Sequence, residues 1–352
     1  MNLGTPCGPG RNQASCALSG ALSGAPPRFA ADIYKRISCA DATGLSQQVQ
    51  DWSFEFTQLS AGAFSANGGM APLDSALVAQ ATLDQTLLHR GCAPRGSAAV
   101  LIPGRGSGQA FVRGRQLQSA QCIAMADGAC IEAITQGRYV DVALAIDLNA
   151  WNAQSHWLNE CPLTTIRGTS IESPGPQWIT RMLNTVEWIF TAIGKHPEAL
   201  ERLDVRASLS DQFLTALADF GSVTDGAERH TRDARAQQRI AVERAREYIR
   251  ARLAEPLRLS ELCSYAHVQA RALEYGFREI TGLSPIAYVK SLRLNAVRKT
   301  LLRSPAPKRS ISEIALDHGF WHLSQFAVDY RKFFGETPTS TRRRALGMTA
   351  AN

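Results

Sequence analysis

Apolar and polar positions follow one rhythm in the first half of the chain and another in the second. Between residues 29 and 170, short apolar runs are cut by Gly, Pro, Asn and Asp, as at Ser53–Leu59, Ala98–Pro103, Cys122–Ala126 and Val140–Leu148. Runs of that length bounded by turn residues predict strands of a β-sandwich or barrel. Gln80–His89 fits a helix or an extended segment equally well. From Gln177 to Gly194 the rhythm changes: Ile179, Met182, Val186, Ile189, Phe190 and Ile193 recur at intervals of three and four, one face of a helix. That stripe suits a dimer seam or a helix packed on the β-rich region. A second helix is predicted over Ser208–Phe220, with Leu209, Phe213, Leu214 and Leu217 inward, and Gly221–Gln238 is polar enough to be a linker. The expected class is α+β. It divides into a disordered lead-in 1–28 (or an upstream mis-assigned start), a β-rich cupin-like sensing domain 29–170 and a helical dimerisation segment 171–221. A linker 222–238 and an all-α domain 239–345 complete it.

The all-α part contains an internal repeat. Ser260-Glu261-Leu262-Cys263 is echoed 52 residues later by Ser312-Glu313-Ile314-Ala315. After one extra residue, Leu273 matches Phe326, Phe277 matches Tyr330, and Gly282-Leu283-Ser284-Pro285 matches Gly335-Glu336-Thr337-Pro338. Each copy predicts a short helix, a turn, a longer helix and a Gly stop, with Pro opening the next helix. Ser260 and Ser312 are the expected caps of the short helices. His267-Val268 and Gly319-Phe320 are the expected turns, and the long helices run over about 269–281 and 321–334. A helix from Pro285 to Arg303 joins the copies, and one carrying Val242, Ala245, Ile249 and Leu253 precedes them. This is the pattern of two helix-turn-helix units in tandem.

The outward faces of the long helices carry the candidate chemistry. Arg271, Glu274, Tyr275 and Arg278 form a polar stripe on the first; Ser324, Gln325 and Val328, with His322 near the helix start, form its counterpart. A recognition helix places such a stripe against base edges in the major groove. Any amphipathic helix has a solvated face, so one stripe alone says little; two equivalent stripes in a repeat say more. Arg331 and Lys332 at the end of the second stripe, and Arg342 and Arg343 in a basic tail, suit phosphate. Charge points the same way. Of a net charge of +7, residues 237–352 hold 20 Lys and Arg against 10 Asp and Glu, while residues 1–236 hold 18 against 21. The excess positive charge lies wholly in the repeat-bearing third, where it attracts polyanions by counterion release.

These residues resemble the AraC/XylS family of bacterial transcription regulators. The resemblance runs from about Arg239 to Ala345 and rests on Gly282-Leu283-Ser284-Pro285-Ile286-Ala287-Tyr288, Leu292-Arg293-Leu294, Ile311-Ser312-Glu313-Ile314-Ala315, His318-Gly319-Phe320 and the run Phe326 to Pro338. It departs at His267 and Gln269, where the family has Gly and Ser. Gly276 sits inside the first recognition helix at a cost of ~1 kcal/mol relative to Ala. The variants around Ala270–Phe277 and Gly319–Leu323 look like a subgroup that includes ethanolamine-operon regulators. The resemblance implies a seven-helix DNA-binding domain, an N-terminal regulatory domain and double-stranded promoter DNA as partner. A small-molecule effector and RNA polymerase are further candidate partners, and a homodimer the expected assembly.

Other chemistry is thin. No apolar run approaches the ~20 residues that span a bilayer, and residues 1–28 lack the charged start and apolar block of a signal peptide. Eight scattered cysteines without a C-x-x-C pair argue against a zinc ribbon or a disulfide framework and fit free thiols in the cytoplasm. The seven histidines form no His-x-His cluster, so no metal or other cofactor is expected. Gly104-Arg105-Gly106-Ser107-Gly108 lacks the Lys-Ser/Thr of a phosphate loop and reads as a turn. Trp52, Phe54, Phe56, Phe111 and Tyr139 suit a ligand pocket, though ordinary core packing is the simpler reading. A catalytic or purely ligand-binding N-terminal domain with DNA tethering as an accessory is the competing reading; the missing catalytic cluster weighs against it.

Overall fold

The structure is a computed structural model that describes residues 34–49, 52–73, 75–149, 166–218, 220, 234–303 and 309–346. The predicted lead-in 1–28 and most of the predicted linker lie outside the described residues. Twelve strands and ten α-helices are present among those described.

The N-terminal half is built from two antiparallel sheets. A seven-stranded sheet runs in the order β1 (Lys35–Cys39), β3 (Ala66–Pro72), β4 (Ala76–Leu83), β11 (Tyr139–Asp147), β6 (Ser97–Pro103), β9 (Cys122–Met125) and β12 (Thr169–Glu172). A five-stranded sheet runs β2 (Glu55–Gln58), β5 (Leu87–Cys92), β10 (Cys130–Thr135), β7 (Ala110–Val112), β8 (Arg115–Gln116). Helix α1 (Ala42–Gln48) links β1 to β2; Asp41 caps it by accepting from the Gly44 N–H at 2.8 Å. The four predicted runs are β2, β6, β9 and β11. Gln80–His89 is extended: it is the end of β4, a turn and the start of β5.

Strand alternation sorts side chains between two cores. On β6, Ala99 and Leu101 enter the cluster between the sheets, where Ile37, Trp52, Phe54 and Met125 also lie. Val100 and Ile102 face the other way, with Val142, Leu144 and Ile146 of β11, into a second cluster. That second cluster is closed by α2 (Pro176–Lys195), a 3-10 turn at Pro197–Glu201 and α3 (Leu203–Ala218). Both faces of the central strands are covered, which is why they read as continuous apolar runs.

Two expectations need correction. The α2 stripe is not free for dimerisation: Met182, Val186, Ile189 and Ile193 are buried against the outer face of the seven-stranded sheet with Phe213, Leu214 and Leu217 of α3. The sheet left a broad apolar face, and the nearest amphipathic helix covers it. The cysteines are also not all free. Cys92 and Cys130 stand directly opposite on β5 and β10 and form a disulfide, a pairing fixed by strand register that spacing in sequence does not reveal.

The outer face of the five-stranded sheet is covered by the C-terminal domain. Leu59, Leu88, Phe111 and Ile134 share a cluster with Val242, Ala245, Ile249, Phe277 and Ile280. The domain comprises α4 (Ala234–Ala251), α5 (Leu259–Ala266), α6 (Ala270–Thr281), α7 (Pro285–Arg303), α8 (Ile311–Asp317), α9 (Leu323–Phe334) and α10 (Pro338–Ala345). Residues 234–238, expected in the linker, begin α4, because Gln238 packs beside Gly276 as part of the helix contact.

Candidate DNA-reading surface

The sequence repeat appears as two equivalent helix pairs, α5 with α6 and α8 with α9. The N-caps of their short helices lie two residues before the serines expected to cap them. Ser310 caps α8: its hydroxyl accepts from the Glu313 N–H at 3.1 Å, and the Glu313 carboxylate accepts from the Ser310 N–H at 2.6 Å. The bond from the Ser310 backbone N–H, helped by the Ser310 hydroxyl, holds the Glu313 carboxyl below its usual range. The equivalent position in α5 is Arg258, whose backbone N–H donates to Glu261 at 3.2 Å. Ser260 and Ser312 therefore sit in the first turn, not at the cap. The 52-residue offset survives because both caps moved together.

Each pair turns through a left-handed residue at equivalent positions, His267 at φ 57° and Gly319 at φ 79°. His accepts that conformation at some cost, Gly without any. The second turn is also clamped. Arg293 of α7 donates from Nε to the Leu253 carbonyl at 2.8 Å and from Nη1 to the Gly319 carbonyl at 3.2 Å. The joint helix thus grips both the preceding segment and the second turn. Its 19 residues give it a length of about 28 Å.

On α6, Leu273, Phe277 and Ile280 point inward. Arg271, Tyr275 and Arg278 are exposed, Tyr275 to 65%, and Glu274 is half-buried. On α9, Phe326, Tyr330 and Phe334 point inward, while Ser324, Gln325, Val328, Arg331 and Lys332 are exposed. His322 is the N-cap residue of α9 and exposed. Gln325 donates to Asp329 at 3.0 Å, and Asp329 pairs with Lys290 of α7 at 2.5 Å, so this part of the stripe is pre-oriented by the joint helix.

Arg342 and Arg343 do not lie in a free tail. They belong to α10, which docks through buried Thr341, hydrogen-bonded to Tyr330 Oη at 2.9 Å. Arg343 is exposed; Arg342 is half-buried, its Nε without a hydrogen-bond partner among the described residues. Arg344, not singled out in the sequence, pairs with Glu336 at 3.2 Å and Asp41 at 3.3 Å. Trp321, assigned by its pattern to the start of the helix, precedes α9 and is 62% exposed beside His322. An aromatic there has no signature that separates surface from core.

Residues 262–344 match the family described as a helix-turn-helix domain. Over 99 residues the chain is 37% identical to XylDLEGF operon transcriptional activator 2 of Pseudomonas putida, covering 28% of this chain and 63% of that protein. It is 35% identical over 100 residues to the transcriptional activator RhaR of Pectobacterium carotovorum, covering 28% and 34%. A solved structure of a probable AraC family regulator from Rhodopseudomonas palustris is 34% identical, over 30% of this chain and 96% of that one, with a TM-score of 0.28. The likeness rests on sequence, and this chain spans less than two thirds of the length of these curated relatives. The C-terminal domain is of the helix-turn-helix regulator class. In sequence that domain is of the AraC/XylS type.

Proposed function

We propose that this protein is a sequence-specific DNA-binding transcription regulator. Helices α5–α6 and α8–α9 act as two helix-turn-helix units, and a small molecule held in a cupin-like N-terminal barrel modulates them. One observation carries the reading. The repeat presents two equivalent exposed stripes, Arg271, Tyr275 and Arg278 on α6 and Ser324, Gln325 and Val328 on α9, on helices otherwise committed to the core. Glu274 and His322 complete the base-reading set. Arg331, Lys332 and Arg343 take phosphate, with Arg342 contributing less because it is half-buried.

The five-stranded sheet supports the link between the halves. Phe56 of β2 packs against the cluster between the sheets. Its neighbours face the joint helix: Glu55 pairs with Lys299, and the Gln58 backbone N–H donates to Asn295 Oδ1 at 3.2 Å. A ligand that moves Phe56 moves the strand that holds α7. The α2 stripe is not available to a homodimer, which would use another surface, such as the outer side of α2 where Trp188 is 53% exposed.

The test is fluorescence anisotropy of the intact chain on double-stranded promoter DNA across a salt series. Phosphate contacts from Arg331, Lys332, Arg342 and Arg343 predict a loss of about 10²-fold in affinity between 50 and 200 mM salt. Absence of binding at low salt contradicts the proposal.

A further inference from the structure

Between the two sheets lies a narrow, partly open crevice lined by Trp52, Phe54, Phe56, Ala81, Ala143 and Asp141, among others. The space exists because the strands that face it carry alanine where a barrel core commonly carries branched side chains; Ala81 and Ala143 flank Asp141 on β4 and β11. One wall is aromatic. Trp52 and Phe54 meet edge to face at 6.3 Å, Phe54 and Phe56 stack at 6.0 Å, and Phe56 meets the His89 ring at 5.0 Å.

Two polar groups in this apolar setting have no hydrogen-bond partner among the described residues. The Trp52 indole N–H is buried without a hydrogen-bond acceptor among the described residues. The Asp141 side chain lines the crevice and is 21% exposed, and its nearest ion-pair candidate among the described residues is His89, with Nδ1 at 3.9 Å, too far for a hydrogen bond. His89 does not neutralise it. Burial holds the imidazole uncharged, its pKa pushed down to about 3, while Nε2 is engaged with Thr135 Oγ1 at 2.8 Å. Burial pushes the Asp141 carboxyl up to about 6, which leaves it mainly ionised at neutral pH. A carboxylate without a cation in such a place is costly unless something completes it.

We propose that this crevice binds a small organic amine with an apolar body, its ammonium paired with the Asp141 carboxylate and its ring or chain against Trp52, Phe54 and Phe56. A carboxylate beside aromatic faces attracts an ammonium both by charge and through the ring quadrupoles. It repels an organic acid of the same shape. An oxygen on the ligand would also accept from the Trp52 N–H. The inference deepens the proposed effector control by naming the class of ligand.

The probes are 2-phenylethylamine, 2-phenylethanol and phenylacetate, which share a body and differ in charge. Each is titrated calorimetrically into the intact chain and into the Asp141→Asn variant. The amine is expected to bind at least about tenfold tighter than the alcohol, the acid not to bind, and Asp141→Asn to lose at least about tenfold in amine affinity with circular dichroism unchanged. Equal binding of acid or alcohol, undiminished binding by Asp141→Asn, or no amine binding at millimolar concentration overturns the proposal. Wild type alone decides through the charge series if the variant fails to fold. DNA affinity measured on the same samples separates the two readings. Amine binding through Asp141 with no change in DNA affinity sustains the site and contradicts effector control.

Discussion

Asp141 sits where strand alternation calls for an apolar residue. Tyr139, Ala143 and Ala145, its same-face neighbours on β11, all belong to the cluster between the sheets. Its folded pKa of about 6 lies above the ordinary value of 3.8, so ionising it weakens the fold. The penalty is absent below the unfolded pKa, grows as pH rises from about 4 to 6, and is complete above that. Asp141→Asn removes it. The variant should match wild type near pH 4 and exceed it at pH 8 by on the order of 2–3 kcal/mol in urea unfolding. Equal stabilities at pH 8 would show that the carboxylate is better solvated than its burial indicates. His89 acts in the opposite sense, losing stability as pH falls from 6.5 toward about 3, and it cancels in the comparison because both proteins carry it. Neither residue stood out in the sequence. His89 belongs to no cluster, and Asp141 is one acid in a run whose inward face is unknown until strands are paired. Trp52, Phe54 and Phe56 were legible as pocket candidates, and they line the crevice. Phe111 instead meets the C-terminal domain, and Tyr139 packs edge-on to His89 at 6.5 Å.

Among elements, the helices of the repeat were readable because each obeys a single period and a local stop. Gly282 and Gly335 end α6 and α9 at φ 73° and 74°. The caps were misplaced by two residues because Ser at 260 and 312 offered a plausible oxygen, while the Glu three residues beyond the true start was the stronger half of the box. The α2 stripe was visible, but periodicity reports an apolar face without naming what covers it. Gly276 shows the same limit. Propensity alone says alanine there adds ~1 kcal/mol to helix stability. The packing says otherwise: a Cβ would lie 2.7 Å from Val242 Cγ2 and 3.0 Å from Gln238 Cγ, where α4 crosses α6. Val242 is fully buried and cannot yield cheaply. Gly276→Ala should therefore destabilise the protein by about 1 kcal/mol or more in denaturant titration. A stabilised variant would mean that the helices separate freely.

At the scale of the whole molecule, the charge asymmetry was legible and the contact between the halves was not. The Glu132 carboxylate on β10 pairs with Arg90 of its own sheet and with Arg246 and Arg250 of α4, the last at 2.8 Å. Burial pushes its pKa up, but Arg246, Arg90 and Arg250 outweigh that and hold it below the usual range. The Arg246 side chain is only 2% exposed, with Glu243 as its other acidic partner at 2.6 Å. Glu132→Gln leaves much of that buried charge uncompensated. Discounted for the retained partner and the partial exposure of Glu132, the cost is about 2 kcal/mol. It falls on the interface, so calorimetry should show the two halves unfolding at separate temperatures. A single unshifted transition would mean that the contact contributes nothing. No spacing in sequence announces this ion pair, since its members stand 114 residues apart.

Two equivalent helices, α6 and α9, are expected to read DNA together across the rigid joint of α7. The most direct measurement is selection of binding sites from random double-stranded DNA by the intact chain, by Arg271→Ala and by Gln325→Ala. Wild type should enrich two short motifs with centres about 10 base pairs apart, one helical turn. Each variant should lose preference in one motif and keep the other, each lost contact removing about 1–3 kcal/mol of discrimination. Enrichment of no motif, or of motifs that neither substitution alters, would contradict the assignment of α6 and α9 as reading helices.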